Sequence, residues 1–174
     1  MTDDIHELTD SQSPPHHEDS EYAAVGCALI DPTGDALRRM TKIIQPKDLF
    51  GFNDQTVFAS CLAVAKSYGC VDVALVHEYL AESGKLAEIG GPMALAHYMD
   101  AVTLTAHAEF YAQVVLKNSI RREVCNQTRG LFAVAWEAHE PLDRLRERAH
   151  VLAETLDIRM SALRTIDRER GGQQ

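Results

Sequence analysis

Apolar positions recur at helical spacing along almost the whole chain, and turn residues cut that pattern into segments. The first run, Glu21 to Ile30, sets Tyr22, Val25, Cys27 and Leu29 among alanines. Asp19 or Ser20 is placed to cap it, because a short side-chain oxygen can accept from the free N–H groups of a first turn. Asp31-Pro32-Thr33-Gly34 stops it. A short amphipathic run with Leu37, Met40, Ile43 and Ile44 follows, and Pro46 ends it by forcing the preceding residue out of helical space. Leu49, Phe50, Phe52, Val57, Phe58, Cys61, Leu62 and Val64 trace the next apolar face. Asp72 can cap a helix that carries Val73, Val76, Tyr79 and Leu80 and stops at Gly84. Gly90-Gly91-Pro92 gives a glycine stop and then a proline suited to a first turn, so a further helix runs from about Pro92 to Ala101. Val71 to Val76 is the one strand-like stretch, and the helical context outweighs it.

The pattern changes after residue 105. From about Thr105 to Ala138 there is no proline and one glycine, Gly130, and apolar positions recur at Phe110, Val114, Ile120, Val124, Phe132 and Trp136. After Glu140-Pro141 the residues Leu142, Leu145, Ala149, Leu152 and Leu156 alternate spacings of three and four, a heptad-like seam. Two long helices joined by a few residues lie antiparallel as a hairpin. The seam should face the partner helix, with Arg144, Arg148 and Arg159 nearly opposite. A hairpin offers one partner helix per seam, so spare apolar surface must meet the rest of the chain or another subunit. Phe132, Trp136, Leu142, Leu145, Leu152 and Leu156 are the candidate interface residues. The expected fold is all-α: a disordered acidic tail over 1–17, a compact helical head over 18–101, a hairpin over 105–167 and a frayed tail over 168–174.

Composition narrows the class. At 174 residues with 45% apolar and 25% charged side chains, the chain can bury a real core without metals or disulfides. Its four cysteines, Cys27, Cys61, Cys70 and Cys125, form no CxxC pair and follow no secretory signal, so they read as reduced thiols in a cytoplasmic protein. No apolar run approaches the roughly 20 residues of a membrane span. The net charge of −9 is uneven. Residues 1–21 hold seven acids and no Lys or Arg, whereas residues 117–174 hold 11 bases among nine acids. Interleaved signs argue against a dedicated phosphate-backbone groove.

Catalytic patterns are missing. No GxxxxGK[ST], GxGxxG, HExxH or GxSxG occurs. His16-His17 beside Glu18-Asp19 lies in the tail and reads as a solvated run. His77, His97 and His107 are single histidines on separate segments, which favours surface or hydrogen-bonded roles over metal ligation. Cys125, near Arg121, Arg122 and Arg129, invites a lowered thiol pKa, but a buried core cysteine is the expectation. No catalytic, cofactor or metal residue is therefore assigned.

The order of the turn signals resembles the N-terminal domain of DnaB-type replicative helicases. Pro15, Glu21, Ala24-Val25-Gly26-Cys27-Ala28-Leu29-Ile30 and Asp31-Pro32 are similar to that family's opening helix and its Leu-Leu-x-Asp-Pro end. Pro46-Lys47-Asp48-Leu49-Phe50 resembles its Pro-x-Asp-Phe, and Val57-Phe58-Ala59-Ser60 its Ile-Phe-x-Ala. Gly69-Cys70-Val71-Asp72 resembles Gly-x-Pro-x-Asp, and Gly84 through Gly90-Gly91 resembles Gly-x-Leu-x-x-x-Gly-Gly. Phe110-Tyr111-Ala112 and the pair Arg121-Arg122 complete the series over roughly residues 15–157. Gln55-Thr56 and Thr103-Leu104 depart from the family's His-Arg and Pro-Thr. The family continues into a RecA-like ATPase that this chain lacks.

The resemblance implies a non-catalytic module in DNA replication. In the family such domains pair through head and hairpin into a dimer or trimer of dimers, and dock primase or a helicase loader onto the replicative helicase. DNA would be met only indirectly, and no membrane or cofactor is implied. The alternative within this reading is a standalone phage- or plasmid-borne adaptor, loader or inhibitor of a host helicase. The rivals from other classes are a helical DNA-binding protein using the arginines of 121–170, and a ligand-binding protein or enzyme built on Cys125 or a histidine.

Overall fold

The computed structural model describes residues 13–102, 104–136, 139 and 141–171. Among them there are seven α-helices and no strand: α1 (Glu18–Ile30), α2 (Asp35–Met40), α3 (Phe52–Tyr68), α4 (Val73–Glu82), α5 (Pro92–Asp100), α6 (Ala108–Trp136) and α7 (Leu142–Gly171). Single 3₁₀ turns sit at Pro46–Asp48 and Thr105–His107.

Helix α1 is the axis of the head. It packs on α2, α3, α5 and the first half of α6, and every residue from Ala23 to Leu29 is buried. A helix closed in on all sides must be apolar all round, and small residues let its neighbours approach. Gly26 marks the closest approach: a Cβ there would lie 2.1 Å from the Tyr98 carbonyl oxygen and 2.3 Å from Val102 Cγ2. Phe58, Val57, Cys61 and Val64 of α3, Val76 and Leu80 of α4, and Leu95 and Tyr98 of α5 complete the core.

Caps fix the turns. His17 caps α1, its Nδ1 accepting from the Ser20 N–H at 3.2 Å, so the cap falls two residues before Asp19. The Asp31 carboxylate accepts from Thr33 N–H (3.0 Å), Thr33 Oγ1 (2.6 Å) and Ala36 N–H (2.7 Å), which stops α1 and starts α2. Burial acts to raise its pKa, but these bonds outweigh burial and hold it below the usual carboxylate range. Asp72 accepts from Ala74 N–H at 2.7 Å, so Val73 opens α4 as the expected cap requires, and Val71 to Val76 forms no strand. Val71 is buried, which explains its apolar character. Gly90 and Gly91 take φ of 97° and 78° before Pro92 opens α5, a left-handed turn that side chains resist. Leu49 and Phe50 precede α3 instead of lying on it.

Helix α6 has 29 residues, about 43 Å of rise. Its first half is head: Ala112, Val115, Leu116 and Ile120 are buried. Its second half projects and pairs with α7. Arg148 Nη1 donates to the Gly130 carbonyl at 3.3 Å and Arg159 Nη2 to Ser119 Oγ at 3.2 Å. Both pairs are symmetric about His139, so the helices run antiparallel in constant register. Arg148 and Arg159 therefore sit on the packed side of α7, contrary to the expectation that they oppose the seam.

The proposed termini need adjustment. Residues 1–12 and 172–174 lie outside the described residues, as does Thr103. Ser13 to His17 are docked on the head rather than forming part of a free tail, and α7 continues through 168–171 to Gly171. No single helix among the described residues is long and apolar enough to cross a membrane.

Candidate functional site

The chemistry-bearing side chains converge where head, hairpin and chain entry meet. Pro46 opens the 3₁₀ turn, and Asp48 closes a reciprocal cap with Gln45, its Oδ2 accepting from the Gln45 N–H at 2.8 Å. That turn aims Asp48 inward, where only 4% of it is exposed. Its Oδ1 accepts from Ser119 Oγ of α6 at 2.7 Å and from Arg159 Nη2 of α7. Its carbonyl accepts from Arg122 Nη2. One residue thus ties the head to both arms of the hairpin.

Arg122 carries the network onward. Its Nη1 donates to the Pro15 carbonyl at 2.8 Å and lies 3.7 Å from Glu21 Oε1, and its guanidinium sits 5.4 Å over the Phe50 ring. His16 stacks on the same ring at 4.5 Å. Burial holds the Arg122 pKa below its ordinary value, although Glu21 and Asp48 act the other way. Arg121, by contrast, is exposed and donates to Asn118 Oδ1 at 3.2 Å.

A second buried acid pair lies behind it. Glu21 Oε2 accepts from the N–H groups of Phe50 (2.6 Å) and Gly51 (3.4 Å), and Asp54 Oδ1 accepts from the Tyr98 hydroxyl at 2.6 Å. Burial pushes both carboxyls above the usual range, against the lowering effect of these donors. Glu21, Asp54, Ser119 and Arg159 belong to this joint, yet sequence reading did not single out Asp54 or Ser119 and gave Glu21 and Arg159 no part in it. Their only signal is a polar residue inside an apolar run, which does not say what it meets.

The remaining residues of the family pattern serve the fold. Phe58 is wholly buried, Asp31 and Asp72 cap helices, Pro32 and Gly84 lie in exposed turns, and Tyr111 is half-buried.

The hairpin surface is divided. Leu145, Leu152 and Leu156 are half-buried, Leu156 packs against the core, and Leu163 is fully covered. Leu142 and Trp136 are 81% and 69% exposed, and Phe132, stacked on Trp136 at 5.7 Å, is about half exposed. Val151, Ile158 and Met160 add exposed apolar area that the seam pattern did not reveal.

Two clefts flank the hairpin. One, about 550 Å³, lies between the arms around Gly130, Glu147 and Arg148. The other, about 390 Å³, lies between the docked N-terminal residues, the 3₁₀ turn and α6. Cys125 lines the second and is exposed, so the expectation of a core cysteine fails. Cys27 and Cys61 are buried, and burial pushes their thiols up to about 11 and 12. Among the described residues no group of His, Cys, Asp and Glu is arranged to hold a metal ion. The site can position, join and expose surfaces.

Residues 13–117 match the family model described as DnaB-like helicase N terminal domain. The chain is 31% identical over 143 residues to the Replicative DNA helicase DnaB of Geobacillus stearothermophilus, covering 82% of this chain and 31% of that protein. It is 28% identical over 124 residues to the Replicative DNA helicase DnaC of Bacillus subtilis (strain 168), covering 71% of this chain and 26% of that protein. The chain thus spans about a third or less of the length of these relatives. The crystal structure of the N-terminal domain of DnaB helicase from Mycobacterium tuberculosis superposes with a TM-score of 0.75 at 21% identity, covering 82% of this chain and 99% of that one. That likeness shows the fold.

Proposed function

The chain belongs to the DnaB-like helicase N-terminal domain family, and from that premise we propose that it is a non-catalytic replication module. It self-associates through its hairpin and offers the assembled surface to a primase or a helicase loader. The head, 18–101, is the base, and the hairpin, 105–167, is the arm that carries the contacts.

One observation carries this reading. The hairpin keeps Trp136, Leu142 and Ile158 each more than two-thirds exposed, along both arms of an antiparallel pair. Large apolar side chains held in the open at several levels of one element mark a surface that a partner covers. A direct role on DNA is less favoured, because the buried-side arginines are engaged within the chain: Arg122 and Arg159 with Glu21 and Asp48, Arg39 with Asp35. A phosphate groove needs cations free to meet it.

Sedimentation over a hundredfold range of concentration tests the reading. The mass should rise with concentration, and Trp136→Ser or Ile158→Asp should lower it while helicity is kept. Leu152→Asp should instead open the hairpin, since it places a charge at a half-covered site. A parent chain that stays monomeric throughout overturns self-association. A parent that associates but captures neither purified primase nor loader removes the docking half.

A further inference from the structure

Two buried carboxyls meet behind Phe50, and one of their oxygens lacks a hydrogen bond. Glu21 of α1 is 1% exposed and Asp54 of α3 is 6% exposed. Both close on Gly51: its N–H donates to Glu21 Oε2 at 3.4 Å, and a Cβ there would lie 2.2 Å from Asp54 Oδ2. The two carboxyls are also in hydrogen-bonding contact with each other. Asp54 Oδ1 accepts from the Tyr98 hydroxyl and Glu21 Oε2 from the Phe50 N–H, but Glu21 Oε1 has no donor among the described residues. Two ionised carboxyls in contact have no proton to bond with, and their charges repel. One proton between them removes the repulsion and supplies the missing bond.

Glu21 Oε1 also faces Arg122. Arg122 Nη1 donates to the Pro15 carbonyl at 2.8 Å and stands 3.7 Å from Glu21 Oε1, so one donor has two acceptors to choose from. We propose that Glu21 and Asp54 share a single proton, and that this proton leaves Arg122 to the Pro15 carbonyl and so keeps residues 13–16 docked on the head. When the proton leaves, Oε1 carries charge beside a second carboxylate, and a charge-assisted bond from Arg122 is the nearest relief. The guanidinium then turns from a neutral carbonyl to a carboxylate. Pro15 loses its hold, and His16 keeps only its stack on Phe50. Pro14 and Pro15 line the smaller cleft, so their release opens that cleft and bares the Phe50 ring.

The sign of the pH dependence follows from the burial. Burial raises both carboxyls above their ordinary range while the segment is docked. Docking is therefore complete at low pH and is lost as pH rises through those values. The other charged and titratable groups around the pair are Glu18 and Tyr22 of α1, Tyr98 of α5 and Arg122 of α6, with Asp48 and Arg159 acting on Arg122. The segment itself carries His16, and His17 caps α1. Histidine changes charge between about pH 5 and 8, so both are replaced for the measurement. His16→Phe keeps a ring to stack on Phe50, and His17→Asn keeps a cap.

A nitroxide on Ser13→Cys reads the segment, in a chain with Cys70→Ser and Cys125→Ser, since Cys27 and Cys61 are buried. Its spectral line shape is followed from pH 5 to 9, with far-UV circular dichroism alongside. The docked-to-released ratio should fall by up to about tenfold per pH unit, the dependence of a single released proton. Glu21→Gln puts an amide N–H where the shared proton would donate to Asp54, and Asp54→Asn does the same toward Glu21. Either change fixes the charge of the shared-proton pair, so the segment should stay docked through pH 9. If one of the two fails to fold, the other decides. A line shape that does not change from pH 5 to 9 without these amides overturns the proposal, as does a transition that persists in the folded amide variants. A transition that coincides with loss of helicity also overturns it, because the pair would then be reporting unfolding of the head.

Discussion

Asp48→Asn tests whether a single turn residue joins head and hairpin. Three donors converge on two carboxylate oxygens: the Gln45 N–H on Oδ2, and Ser119 Oγ and Arg159 on Oδ1. Asparagine offers one oxygen. If its amide nitrogen faces Arg159, a donor meets a cation that cannot accept. If it turns the other way, the nitrogen meets the Gln45 N–H and one partly buried donor loses its partner. The second arrangement costs less, about 1–3 kcal/mol for the orphaned donor. Loss of the charge facing Arg159 adds about 1 kcal/mol, a modest figure because the arginine side chain is 23% exposed. The sum, about 2–4 kcal/mol, is a large part of the 5–15 kcal/mol typical of a folded chain. For a chain of this size it lowers Tm by roughly 5–12 °C. Arg159→Met should cost much less, because Asp48 keeps Ser119 and Gln45 and water can reach the vacated edge. Urea unfolding followed by far-UV circular dichroism at one fixed protein concentration reads both values. An Asp48→Asn chain within about 0.5 kcal/mol of the parent refutes the reasoning. So does an Arg159→Met chain that loses as much as Asp48→Asn.

Three further outcomes are expected. Glu21 and Asp54 titrate above the unfolded carboxylate range because burial disfavours their charged forms, so the folded chain binds more protons. Their contribution to stability is whole below about pH 4 and declines as pH rises through the folded values. Asp54→Asn keeps an acceptor for Tyr98 and removes part of that decline, so its Tm relative to the parent should be higher at pH 7.5 than at pH 4.5; equal differences at both pH values would sink this. Gly26→Ala places a methyl 2.1 Å from the Tyr98 carbonyl oxygen, so α1 and α5 must separate at a cost of about 1–3 kcal/mol or more; an unfolding midpoint unchanged from the parent would contradict the close approach. The purified chain should turn over no ATP, because no Walker-type lysine loop occurs in it; phosphate release that a point change in the chain abolishes would reverse that expectation.

The helices were legible because periodicity and punctuation agree. Gly84, Gly90-Gly91 and Pro141 each act on the backbone locally, whatever surrounds them, so they mark ends that the structure keeps within a residue or two, whereas the helix expected to run to Pro46 already stops at Met40. The errors fall where tertiary contact overrides a local rule. Cys125 reads as core by its residue type, but α6 has already left the head by that level and leaves it in the open. Arg148 and Arg159 read as lying nearly opposite the seam, yet a long stem lets each guanidinium reach across and bond to the facing helix.

The joint was the least legible part for a physical reason. Its members, Glu21, Asp48, Asp54, Ser119, Arg122 and Arg159, come from α1, the 3₁₀ turn, α3, α6 and α7, and the bonds between them span up to 111 positions of sequence. Hydrophobic burial needs only that a face be apolar, so periodicity records it. A polar joint needs particular donors to meet particular acceptors, and no spacing rule carries that information. Yet the joint decides how the hairpin stands on the head. Apolar contact between α6 and α7 is non-directional and would tolerate some sliding of one arm along the other. Directional bonds from Asp48 to Ser119 and Arg159 permit a single register, the one centred on His139. If self-association aligns the exposed residues of two hairpins, Asp48 matters to assembly without touching the interface, because it fixes where Trp136, Leu142 and Ile158 lie relative to the head.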